Sequence, residues 1–154
     1  MRVLQVDPSA FTPPYDHALC TALARMGEHV TLATSRFGYG DVPPALGYVR
    51  DEGAFYRFQP GAPGGRARLA AKLAQHPVDM LRLRRRARAF EIVHFQWLAV
   101  QHVDRRLLPS GRPVVLTAHD VRRGSRAAAR STPSGACTSA STRSSCTRAT
   151  GRGG

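Results

Sequence analysis

The chain has 154 residues, about one domain, and a formal charge of +13, yet all ten of its acidic residues lie at or before Asp120. No segment reaches the ~20 apolar residues of a membrane span, and the opening "MRVLQVDPSAF" has too short an apolar run, too soon interrupted by Asp7, for a signal peptide. The three cysteines, Cys20, Cys137 and Cys146, are odd in number and lack metal-ligand spacing, which points to a reducing, cytoplasmic setting without disulfides or zinc.

"RVLQV" (Arg2 to Val6) is a β-branched run stopped by "DPS", a turn signal. "YDHALCTALARMGE" follows, with apolar Leu19, Ala22, Leu23 and Met26 at the spacing of one helix face. Thr12 suits its cap, Pro13 and Pro14 its first turn, and Gly27 its end. "HVTLAT" (His29 to Thr34) is the next strand, so the first three elements form a βαβ unit with parallel strands. After a Gly- and Pro-rich loop, "AFYRFQ" (Ala54 to Gln59) is the expected third strand. From Arg66 to Phe90 the pattern is helical, with Pro77 expected to divide it in two. "EIVHFQW" is a fourth strand, "LAVQHVDRRLL" a short helix, and "PVVLTAHD" a fifth strand, apolar as a strand covered on both faces should be.

Strands alternating with helices predict an α/β fold: a Rossmann-like, open parallel sheet with helices on both faces over residues 1–120, incomplete at Asp120, and then a disordered tail over 121–154. Ligands of such sheets sit beyond the carboxyl ends of the strands. The residues there include Asp7 to Ser9, Gln96 and Trp97, and His119 and Asp120. The loop "DPSAFTPPYDH", with Ser9 and Tyr15, precedes a helix N-terminus that offers free N–H groups; it is either an ordinary capped loop or a substrate contact, and it lacks the glycine fingerprint of a dinucleotide site. Gln96 and Trp97 are either a packed strand end or substrate-binding groups, whereas His94 reads as a hydrogen-bonded core histidine. His119 and Asp120 can hydrogen-bond sugar hydroxyls or stabilise developing charge, and the alternative is a turn Asp beside a structural His. Five arginines between Arg82 and Arg88 are a solvated helix face or, more sharply, a surface for anionic lipid or phosphate.

In this order, "MRVLQVDPSAFTPPYDHALCTALARMGEHVTLATSRF", "EIVHFQW" and "PVVLTAHD" resemble the N-terminal domain of glycosyltransferase family 4 and its relatives of the GT-B fold. The resemblance covers Met1 to Asp120. Two departures are visible: Pro13-Pro14 stands where the family commonly has paired glycines, so donor-phosphate contacts are not carried over to this loop, and Glu28-His29 reverses the common order. The resemblance implies a two-domain enzyme that moves a hexosyl group from a nucleotide-sugar to a sugar or lipid-linked acceptor, with retention and without a metal. It implies that the N-terminal domain shapes the acceptor site, that a C-terminal domain holds the donor, and that the His at the position of His119 contacts the donor sugar. No cofactor is then needed beyond the donor substrate, no nucleic-acid partner is expected, and the setting is the cytoplasm, with Arg82–Arg88 as a contact to the inner membrane face.

From Val121 onward no hydrophobic pattern survives, and the last 34 residues carry seven Arg and no acid. Out-of-frame GC-rich codons yield this Arg, Ala, Gly, Ser, Thr and Pro content, and the single Lys against 22 Arg fits GC-rich coding DNA. The tail therefore reads as coding sequence in the wrong frame, and residues 1–120 as an acceptor-domain fragment inactive alone. The competing reading is a binding module whose basic helix and natural basic tail engage nucleic acid or an anionic membrane.

Overall fold

The computed structural model describes residues 1–117 and residue 119. The expected disorder and frame of the tail, and the candidate Asp120, lie outside the described residues. Met1–Val121 forms one compact unit. Its elements are β1 (Arg2–Asp7), α1 (Pro13–Arg25), β2 (His29–Thr34), β3 (Val49–Asp51), α2 (Arg66–Arg86), β4 (Ile92–Phe95), α3 (Gln101–Leu107) and β5 (Val114–Leu116). The strands form one open, all-parallel sheet in the order β3-β2-β1-β4-β5, the Rossmann-like arrangement. The order reverses between β1 and β4, which pair from Val3–Ile92 to Val6–Phe95.

Period-two alternation divides the core between the two sheet faces. Leu4, Val6, Ala33, Val93 and Phe95 point to one side, where Phe55 and the α2 residues Met80 and Leu83 fill the layer and Leu107 packs at its margin. Val3, Val30 and Leu32 point to the other side, beneath Cys20 of α1 and Tyr48. Helices thus cover both faces, as the alternation of elements predicts.

Four local expectations are corrected. The third strand is Val49–Asp51 and not Ala54–Gln59. Its three residues pair with Thr31–Ala33 of β2, while the aromatic run beyond it is a loop that drives Phe55 and Tyr56 into the core, 0% and 3% exposed. Tyr56 takes a left-handed conformation (φ 47°), and Asp79 accepts its N–H at 2.9 Å. β propensity in "AFYRFQ" therefore reflects burial of aromatic rings and not ladder pairing. Pro77 does not divide the second helix, since α2 runs unbroken through it. Proline removes only the N–H that residue 73 would accept, and both Leu73 and Pro77 are exposed, so water can serve the freed carbonyl.

The apolar face assigned to α1 is also displaced. Met26 is 77% exposed, and the buried positions are Asp16, Cys20 and Thr21, with Leu23 and Ala24 packed at the edge. Asp16, Cys20 and Leu23 form an equally regular helical stripe, but its polar members hide it from a hydrophobicity count. Finally, β5 is not covered on both faces. It is the sheet's edge strand, and Val114, Val115 and Leu116 are all exposed, because no described element packs over it.

Candidate functional site

The carboxyl ends of β1 and β4 meet at the strand-order reversal, where an open α/β sheet leaves a crevice between diverging connections. β1 ends at Asp7, whose buried side chain organises the loop after it. One Asp7 oxygen accepts the N–H of Phe11 at 2.7 Å and that of Thr12 at 3.4 Å; the other accepts the N–H of Ser9 at 3.3 Å. Thr12 occupies the N-cap position of α1 but makes no side-chain capping bond, and Asp7 from the strand end orders the loop that leads into the helix. The Thr12 hydroxyl instead faces the indole N–H of Trp97 at 3.5 Å.

Four of the sequence-predicted residues come together here. The His119 imidazole lies flat on the Trp97 indole, with ring centroids 4.6 Å apart and planes at 14°. Tyr15 meets the same imidazole edge-on at 5.3 Å. Nε2 of His119 donates to Oε1 of Gln96 at 3.0 Å, which in the neutral imidazole leaves Nδ1 as an acceptor. Gln96 is fully buried, its Nε2 finds no partner among the described residues, and its backbone N–H bonds Val6 across the reversal at 2.8 Å. Phe11 closes the cluster edge-on to Trp97 at 5.5 Å. Stacking aromatics with a few fixed polar atoms suits recognition of a sugar ring, with its apolar faces and hydroxyl rim.

Ser9 stands apart from this cluster. It lines a cavity of about 320 Å³ with Tyr56, Lys72 and His76. His94 is the hydrogen-bonded histidine expected of the sheet, half-buried and bonded to the Thr117 hydroxyl at 2.7 Å. Burial, and then electrostatic repulsion from nearby His119, lower its pKa, which favours the neutral imidazole.

Two features escaped the sequence reading. Gln5 and Asp7 of β1, His94 and Gln96 at β4, and Asp16 of α1 form a polar layer beneath the N-terminal half of α1, all buried except half-buried His94. Asp16 is pushed up to about 8, first by burial and then by the charge and hydrogen bond of Asp7. The signal was the period-two polar pattern in "LQVD" and "HFQ", at odds with strands buried on both faces. The second feature is a buried chain of bonds. Asp104 bonds His76 Nε2, and His76 Nδ1 bonds the Tyr56 hydroxyl at 2.8 Å. The other Asp104 oxygen accepts the N–H of Val100 at 2.8 Å at the start of its own helix, so Asp104 closes the first turn of α3 and, through His76, ties α3 to α2. Nothing in the spacing of Tyr56, His76 and Asp104 marks them, because three separate elements deliver them.

The basic helix face is largely committed within the molecule. Arg82 pairs with Asp79 at 3.2 Å, Arg84 reaches the Ser110 hydroxyl at 3.0 Å, and Arg86 pairs with Asp51. Among the described residues no helix is long and apolar enough to cross a membrane, and no three His, Cys, Asp or Glu side chains converge as a metal ion would require. Compared with known proteins, the chain matches no family model and no curated sequence.

Proposed function

We propose that the chain is the acceptor-side domain of a glycosyltransferase of the GT-B type. What supports the reading is the convergence of Tyr15, Gln96, Trp97 and His119 at the strand-order reversal, in the parallel sheet that the resemblance implies. On this reading Trp97 and Tyr15 offer aromatic surface to a sugar ring, and Gln96 fixes the His119 tautomer by accepting from Nε2. Nδ1 of His119 then accepts from a sugar hydroxyl and orients it. A donor nucleotide-sugar is held by a second domain facing this edge, with transfer in the cleft between the two. Holding both reactants in place can contribute on the order of 7–11 kcal/mol to lowering the barrier, far more than one hydrogen bond from His119.

The basic-surface reading has less support, because three of the five arginines between Arg82 and Arg88 already have intramolecular partners. The test is release of nucleotide from a panel of nucleotide-sugars. It compares the chain as given, a product whose frame is restored after the Asp120 codon, and His119→Ala in that product. We expect no turnover from the first, turnover from the second, and a loss in the third that falls on kcat more than on acceptor KM. Turnover by the chain as given would overturn the fragment reading, and full activity of the His119→Ala product would remove His119 from the site.

A further inference from the structure

We infer that two adjoining cavities at the carboxyl ends of β1 to β3 bind the phosphate of a small phosphorylated sugar or polyol. The ligand's role as an acceptor rests on the proposed function; its binding does not. One cavity, of about 510 Å³, is lined by Arg36, Phe37, Glu52, Tyr56, Arg57 and Arg68. The other is the cavity of about 320 Å³ lined by Ser9, which shares Phe37 and Tyr56 with the first and adds Lys72. Each is within the range of small-ligand sites.

Four cations line this space. Among the described residues none of them pairs with a carboxylate, in contrast to Arg82 and Arg86 on the far part of α2. Three of them are nonetheless held in place. Arg68 donates to the Gln59 side-chain oxygen, and its guanidinium lies over Gly38 so closely that a Cβ there would come within 3.0 Å of Nη2. Nε of Arg57 donates to the Gly53 carbonyl at 2.7 Å, which leaves its terminal nitrogens for a ligand. The Lys72 ammonium sits 5.0 Å from the centroid of the Tyr56 ring, a cation–π contact. Tyr56 is itself fixed by His76 and Asp79.

Four like charges gathered around a single carboxylate, Glu52, repel. The Lys72 pKa is lowered by burial first and by Arg68 second, which is the repulsion seen at one group. A bound dianion relieves it, and guanidinium forks match phosphate oxygens two at a time. Four positive groups exceed what one carboxylate neutralises, which favours a phosphomonoester. Glu52 can accept from hydroxyls of the ligand, and Phe37 offers a ring face common to both cavities.

The experiment is calorimetric titration of the full chain with glycerol 3-phosphate, inorganic phosphate and glycerol. Flotation with phosphatidylcholine vesicles, with and without phosphatidylglycerol, provides the membrane arm. We expect saturable binding of glycerol 3-phosphate, displaced by inorganic phosphate and absent for glycerol. The Arg68→Gln/Lys72→Gln variant should bind at least about tenfold more weakly and Arg57→Gln alone less so, the range expected for lost charge-assisted hydrogen bonds. Arg85→Gln, an exposed arginine on the last turn of α2, should bind as the unaltered chain does. Absence of saturable binding, equal weakening in Arg85→Gln, or binding confined to phosphatidylglycerol vesicles would each overturn the inference. None of these readings involves sugar transfer, so failure of the transferase assay leaves the result standing, and failure here leaves the transferase proposal standing.

Discussion

The His119 imidazole stacks on the indole of Trp97, with centroids 4.6 Å apart, and so joins the residues that follow β5 to the end of β4. Trp97 is the only tryptophan, so its fluorescence reports this one position in the fold. Replacing His119 with Ala should expose one indole face to water and red-shift the emission. The lost stack should cost about 0.5–1.5 kcal/mol of stability. Emission spectra and urea unfolding of the two proteins check this. An unchanged spectrum would mean that the rings do not stack in solution.

The Asp16–Asp7 pair predicts an inverted acid dependence. In the folded chain the Asp16 carboxyl titrates at about 8, whereas in the unfolded chain it ionises near its ordinary value of 3.8. Between these values the unfolded state gives up a proton that the folded state keeps. The Asp16 contribution to stability is therefore intact below about pH 4 and declines as pH rises toward 8. Asp16→Asn keeps the shape, removes the titration, and should flatten the profile across that window while stabilising the chain at pH 8. Urea midpoints measured from pH 4 to 8 decide it, and parallel profiles for the two proteins would refute the shift.

His76→Ala and Asp104→Ala should each destabilise by about 2–5 kcal/mol, because each leaves buried polar groups without a partner. The double variant should cost less than the sum of the two, by a coupling of about 0.5–3 kcal/mol. Equilibrium unfolding of the three variants tests the cycle, and strict additivity would show that the two side chains do not act together.

Pro77→Ala should stabilise the chain by about 1–3 kcal/mol. The backbone of α2 is already helical at this position, and alanine restores the missing N–H without the ring clash. The urea midpoint should rise with an unchanged slope. A lower midpoint would mean that Pro77 contributes a contact not apparent in its exposed position.

Much of the architecture was legible in the sequence. The strand-helix-strand opening, the helical span beginning at Arg66 and the strand "EIVHFQW" follow from local hydrophobic period and turn chemistry, which act over a few residues and need no partner. These signals also brought Gln96, Trp97 and His119 to one sheet edge, since in a parallel sheet every strand end lies at the same side. Tertiary structure alone decided the rest. Which stripe of α1 is buried depends on the polar layer across from it, formed by residues far away in the chain. Whether "AFYRFQ" pairs as a strand or folds into the core depends on Asp79 and on the space beside Phe95. The Tyr56–His76–Asp104 chain of bonds and the four cations around two adjoining cavities bring residues of α2 and α3 together with residues of the loops after β2 and β3. Local pattern fixes where elements begin and which way their strands run; only packing against the other elements sets which polar side chains meet, because those meetings depend on contacts that carry no periodic signal.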